Sequence, residues 1–218
     1  MKIKGVVFDF NGTLFWDTHL HNEAWDVFLE RNRIKLSNEE KNSKIHGRNN
    51  NDVLNTLFHN QLSVEEVNRL SREKESIYQN LCLQTEMKLA PGAEEFLGFL
   101  KSIKIPVAIA TASEFDNIEF YFKHLGLGSF FEMSEVIYND GSIRSKPDPQ
   151  IFRKAVNRMG LMECETLVFE DSISGILAAE KAEVGGIIIV NSNKEDYGRW
   201  DYPQIRNFAE VDKSLFSR

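Results

Sequence analysis

Four short apolar runs recur along the chain, and each gives way abruptly to polar residues. They are Gly5-Val6-Val7-Phe8-Asp9-Phe10, Pro106-Val107-Ala108-Ile109-Ala110, Thr166-Leu167-Val168-Phe169 and Gly186-Ile187-Ile188-Ile189-Val190. The runs are continuous rather than alternating and rich in β-branched residues, the pattern of strands buried on both faces. Between them, residues 93–102, 115–125, 149–159 and 173–182 read as helices; the first carries Phe96, Leu97 and Leu100 at helical spacing. Strands alternating with helices of this length predict an α/β fold, a Rossmann-like parallel sheet with helices on both faces.

Residues 15–88 break the alternation. Strand-like runs are scarce there, and apolar residues fall at helical spacing: Trp25, Phe28 and Leu29; Val53, Leu57 and Phe58; Val67, Leu70, Ile77 and Leu81. Asn49-Asn50-Asn51-Asp52 reads as a loop or helix N-cap. The predicted organisation is an α/β core of residues 1–14 and 89–218, with a helical domain of residues 15–88 inserted after the first strand. Pro91-Gly92 marks the return to the core. The tail after Asn191 is polar and irregular and is expected to pack on the core.

A chain of 218 residues has room for such a core and a smaller partner. With 42% hydrophobic and 27% charged residues it is not a disordered chain, and its net charge of −7 argues against general binding to nucleic acid or an anionic membrane. An acidic chain that binds a phosphorylated ligand must do so at a locally positive site. Cys82 and Cys164 are far apart and lack metal-ligand spacing, which suits reduced cytosolic thiols. Asp9 interrupts the N-terminal apolar run before a signal-peptide core can form, and no segment approaches the roughly 20 apolar residues of a membrane span. The expectation is a cytoplasmic protein, a monomer or a weak homo-oligomer.

Ligands of open parallel sheets bind at the carboxyl ends of the strands. The residues there are Asp9 with Asn11-Gly12-Thr13, then Thr111-Ala112-Ser113, then Glu170-Asp171-Ser172; Ser145-Lys146-Pro147-Asp148-Pro149 precedes the helix that starts near Pro149. These types fit one chemistry. A carboxylate, Asp9, can attack phosphorus and form an aspartyl-phosphate. Mg²⁺ takes oxygen ligands, and Asp9, Asp171 and Glu170 offer them. Lys146 offsets negative charge, Thr111 and Ser113 offer hydroxyls to phosphoryl oxygens, and Gly12 lets the backbone pass close to them.

Asp9-Phe10-Asn11-Gly12-Thr13-Leu14, Thr111-Ala112-Ser113, Ser145-Lys146-Pro147-Asp148-Pro149 and Glu170-Asp171-Ser172-Ile173-Ser174-Gly175-Ile176 together resemble the four ordered motifs of the haloacid dehalogenase superfamily. The resemblance spans residues 5 to about 190. The helical insert is similar to the small cap of the β-phosphoglucomutase and phosphoglycolate phosphatase branch. Within it, His46-Gly47-Arg48-Asn49 resembles a cap loop that reaches substrate, which makes Arg48 a candidate substrate contact; a surface salt bridge is the plainer reading of that arginine. The resemblance implies Mg²⁺ held by Asp9, the Asn11 backbone carbonyl, Glu170 and Asp171. It also implies phosphate held by Gly12, Thr111, Ala112 and Ser113, and a small phosphorylated metabolite as substrate.

Asn11 departs from the family, whose phosphatases and mutases carry there an aspartate that protonates the leaving group and later activates water. An amide cannot exchange a proton near neutral pH, and such acid–base catalysis is worth about 10²–10⁴-fold. Four readings stand open: a slow phosphatase or one for good leaving groups; another residue supplying the acid; a phosphonatase- or dehalogenase-like branch; or an asparagine introduced to trap an intermediate. A catalytically impaired protein that binds a phosphorylated ligand is the alternative to an enzyme. His19 and His21 have the spacing of a metal pair but no third ligand, so packing is the expectation for them; Phe15, Trp16 and Trp25 are expected in core and hinge packing, with Trp16 a candidate cleft residue.

Overall fold

The computed structural model describes residues 2–45 and 48–216. His46 and Gly47 of the loop singled out above lie outside the described residues. In chain order the elements are β1 (Gly5–Phe8), α1 (Thr18–Arg31), α2 (Asn38–Lys44), α3 (Asn50–Leu57), α4 (Val64–Cys82), α5 (Ala93–Ser102), β2 (Val107–Ala110), α6 (Phe115–His124), β3 (Val136–Ile137), α7 (Gln150–Arg158), β4 (Thr166–Glu170), α8 (Ile173–Ala182), β5 (Gly186–Val190) and β6 (Gln204–Ile205). Two compact units contain them: Met1–Trp16 with Lys88–Arg218, and Asp17–Met87.

In the first unit the six strands form one parallel sheet in the order β3-β2-β1-β4-β5-β6. Successive strand residues point to opposite faces, and both faces are apolar. On one, Val7, Val168, Ile187 and Ile189 pack with Phe152 and Ala155 of α7 and Ile176 and Ala179 of α8. On the other, Phe8 and Phe169 stack at 5.0 Å and meet Phe96 of α5 and Phe208. Burial on both sides explains why these strands read as unbroken apolar runs.

Two strands carry no such run. β3 and β6 have two residues each, too few to show a period, and they exist through pairing: Ile109 is in register with Val136, and Ile189 with Gln204. The tail after Asn191 is therefore less irregular than its composition suggests. It supplies an edge strand, and Tyr197, Phe208 and Phe216 are buried. β1 is also shorter than the apolar run, ending at Phe8, so Asp9 and Phe10 begin the turn.

The second unit is helical. α1 and α3 pack on α4 around Trp25, Phe28, Val53, Leu54, Leu70 and Ile77. Helices α2, α3 and α4 start on side-chain caps: Ser37 and Ser63 form capping boxes with Glu40 and Glu66, and Asn49 accepts from the Asp52 backbone N–H. Buried Asp17 accepts from the Tyr78 hydroxyl; Lys74 lies 2.8 Å from His21 Nδ1 and 2.9 Å from Glu75. His21 stacks on Tyr78 at 3.8 Å while His19 is exposed, so the two histidines do not converge. Among the described residues no helix is long and apolar enough to cross a membrane.

Candidate active site

The strand order turns at β1. From β1 the chain builds β2 and β3 on one side, then crosses to β4, β5 and β6 on the other. Loops leaving neighbouring strands in opposite directions open a crevice at the carboxyl ends. Asp9 follows β1, Thr111 follows β2, and Glu170 ends β4 with Asp171 after it. The Asp9 N–H donates to the Phe169 carbonyl at 2.9 Å, which ties the first turn to β4.

Carboxylate oxygens of Asp9, Glu170 and Asp171 lie within 4.8 Å of one another, and all three residues are buried. Lys146 closes the cluster, its Nζ 2.5 Å from Asp9 Oδ1 and 2.7 Å from Glu170 Oε1. The Thr13 hydroxyl donates to Asp171 Oδ1 at 3.0 Å. Glu170 Oε2 accepts from the Ser172 N–H at 2.6 Å. Two glycines make this proximity possible. Gly12 has φ +83°, and a Cβ there would collide with the Asp171 carboxylate; a Cβ on Gly175 would overlap that of Glu170.

Three buried carboxylates facing one ammonium carry excess negative charge. Burial pushes the Asp9 carboxyl up to about 7, against the opposing pull of Lys146 and with Glu170 adding to the rise. Burial, then Glu170 and Asp9, hold Asp171 well above the usual carboxylate range. Burial alone would lower Lys146, but Asp9 and Glu170 outweigh it and keep the ammonium above its ordinary value. An all-oxygen donor set whose own charges do not balance fits a hard divalent cation.

Asn11 sits beside this cluster among hydroxyls. Its Oδ1 accepts from Ser113 at 2.7 Å and from Thr111 at 3.3 Å, and its Nδ2 donates to the Tyr121 hydroxyl at 2.8 Å. The Thr111 hydroxyl also receives the Ser113 N–H at 3.1 Å, which folds the turn after β2. The residues singled out from the core unit are thus gathered in one place, with half-buried Ala112 in the turn between Thr111 and Ser113. Arg48 belongs to the other unit, where it is exposed and its N–H donates to the Ile45 carbonyl at 3.3 Å. Phe15 is buried, and the Trp16 indole N–H donates to the Thr13 carbonyl at 3.1 Å.

Nothing in the sequence marks Tyr121 or Tyr197 as part of this site. Tyr121 comes from α6, and Tyr197, from the tail, donates its hydroxyl to the Asp171 carbonyl. Neither stands in a motif, and both partners are more than twenty residues away in the chain.

A family model for haloacid dehalogenase-like hydrolases matches residues 3–183. A solved HAD hydrolase of family IA, variant 3, from Entamoeba histolytica is 30% identical with a TM-score of 0.88, covering 98% of this chain and 97% of that one. The phosphorylated carbohydrates phosphatase of Thermotoga maritima is 28% identical over 84% of this chain and 82% of its own length. β-Phosphoglucomutase from Clostridium difficile has a TM-score of 0.80 over 97% of this chain and 94% of that one; at 23% identity it speaks for the fold alone. The match runs from the residues before β1 to the turn after α8, so it takes in the ends of β1, β2 and β4 that carry the clustered residues, and this protein belongs to the haloacid dehalogenase-like hydrolases.

Proposed function

We propose that the protein is a Mg²⁺-dependent phosphatase or phosphomutase-like hydrolase that acts on a small phosphorylated metabolite through an aspartyl-phosphate on Asp9. The observation that carries this reading is the buried Asp9–Glu170–Asp171 cluster closed by Lys146. Asp9, Glu170 and Asp171 would hold the cation, with the Asn11 backbone carbonyl beside them. When bound, it neutralises phosphoryl oxygens and lowers the cost of charge building up on phosphorus.

The side chains do the rest. An Asp9 carboxylate oxygen attacks phosphorus, the bond from phosphorus to the substrate oxygen breaks, and the released alkoxide takes a proton. Water then attacks the phosphorus of the acyl phosphate, which frees Asp9 and inorganic phosphate. Lys146, 2.5 Å from Asp9, favours the ionised form of that carboxyl against burial and offsets charge on the transferring group. Ser113 and Thr111, whose hydroxyls meet Asn11, are the donors available to phosphoryl oxygens.

Asn11 leaves the proton of the first step, and the water of the second, without their usual handler. Leaving groups that depart without an acid are therefore favoured, and slow hydrolysis lets the aspartyl-phosphate accumulate. The phosphorylated carbohydrate phosphatase among the relatives supports a sugar phosphate as substrate class. The helical unit, with Arg48, is assigned substrate selection as a cap. Incubation with p-nitrophenyl phosphate or acetyl phosphate and Mg²⁺ should give turnover or an acyl phosphate on Asp9 trapped in denaturant. Absence of turnover, adduct and Mg²⁺ binding together would sink the reading.

Asn11 also favours a second reading, a protein that binds a phosphorylated ligand without turning it over. Asn11→Asp separates the two: recovery of about 10²-fold or more marks an otherwise competent site, and persistent inactivity marks a binding protein.

A further inference from the structure

Asp171 and Ser172 share a peptide unit that is held from both sides. Its carbonyl accepts the hydroxyl of Tyr197, and its N–H donates to Glu170 Oε2 at 2.6 Å. A peptide plane fixed at one edge fixes the direction of the other. The orientation of the Glu170 carboxylate is thereby coupled to a phenol that lies 26 positions beyond Asp171 in the chain.

That phenol is itself firmly seated. Tyr197 is 1% exposed. The turn leading to it is closed by Asn191, whose Nδ2 donates to the Glu195 carbonyl at 3.0 Å and whose Oδ1 accepts the Glu195 N–H at 2.9 Å. Beyond it, the Trp200 N–H donates to the Tyr197 carbonyl at 3.0 Å and the Trp200 indole to Glu180 of α8 at 2.9 Å. Residues 191–200 therefore form a strap from the end of β5 to α8, with one hydroxyl reaching the end of β4, where two of the three clustered carboxylates stand.

We propose that Tyr197 is a positioning residue for the cation site: by holding the Asp171–Ser172 peptide it pre-aligns the Asp171 and Glu170 carboxylates. This rests on the reading above that both are metal ligands. Groups one bond removed from the ligands typically contribute 10–100-fold to metal affinity. Tyr197→Phe keeps the ring and deletes only the hydroxyl. Trp200→Phe cuts the tie to Glu180 but leaves the phenol, and so reports on the strap's purely structural share.

The test is calorimetric titration of Mg²⁺ into metal-free protein, with amide exchange of Ser172 as a second readout. Tyr197→Phe is expected to weaken the Kd about tenfold and to speed exchange at Ser172, while Trp200→Phe keeps the parent Kd. A Tyr197→Phe Kd within twofold of the parent overturns the proposal and leaves the metal reading intact. An unaltered protein that binds no Mg²⁺ overturns both. Should Tyr197→Phe not fold, Asn191→Ala, which loosens the turn that seats the phenol, must show the same weakened Kd or the proposal fails.

Discussion

An amide and a carboxylate at position 11 meet the same surroundings, the hydroxyls of Thr111, Ser113 and Tyr121. A hydroxyl donates or accepts as its partner requires, so in Asn11→Asp the Thr111 and Ser113 hydroxyls keep donating to residue 11 and the Tyr121 hydroxyl can turn to donate to the new carboxylate. The variant should fold like the parent and raise kcat on p-nitrophenyl phosphate by about 10²-fold or more. Lys146→Met acts in the opposite sense, leaving Asp9 and Glu170 without their buried ammonium; kcat should fall by about 10²–10³-fold, as when a preorganised electrostatic partner is lost. Asp9, Glu170 and Asp171 stood out in the sequence because a charged residue ending an apolar run demands a reason, and Lys146 because it stands in a motif just ahead of a helix. Tyr121 and Tyr197 did not. An aromatic residue on a helix or in a tail looks like ordinary core, and only the fold brings its hydroxyl to residue 11 or 171.

At the scale of elements, legibility followed length. Runs of four or five apolar residues announced β1, β2, β4 and β5, whereas β3 and β6 are set by their neighbours' edges and left no local trace. The long helices of both units declared themselves by spacing, but the polar contacts among Asp17, His21, Lys74 and Tyr78 inside the helical unit did not, since two polar pairs more than fifty residues apart give no local sign that they face each other. Glycines show how an element's geometry divides structural from site roles. Gly98 lies inside α5 with open space where a Cβ would stand. Gly98→Ala should therefore stabilise by about 0.5–1 kcal/mol through helix propensity and leave turnover unchanged. Gly12, at φ +83° against the Asp171 carboxylate, has no such freedom. Gly12→Ala should cost at least about 1–2 kcal/mol in the left-handed region and abolish turnover by displacing Asp171. Thermal melts and one activity assay on the two variants check both statements.

Over the whole molecule, the clustered carboxylates make stability depend on pH and on the proposed cation together. Asp9, raised by burial to about 7, and Asp171, raised by burial and by its acidic neighbours, bind protons more tightly folded than unfolded. Stability from that source is fully present below the unfolded carboxylate range near 4 and is lost as pH rises towards 7, by an amount on the order of a few kcal/mol. Lys146, held above its ordinary value, stays charged in both states across this window and adds no slope there. Metal-free protein should accordingly melt at lower temperature at pH 7 than at pH 5. Saturating Mg²⁺ binds the ionised cluster and stabilises the folded state as RT ln(1 + [L]/Kd), so it should raise the melting temperature most at pH 7 and flatten the profile. Asp9→Asn removes one of the titrating groups and should make the metal-free profile shallower, while any histidine contribution stays common to both proteins. Parallel metal-free profiles for the parent and Asp9→Asn would show that the cluster does not hold this charge, and the case for a cation at these three carboxylates would lose its electrostatic ground.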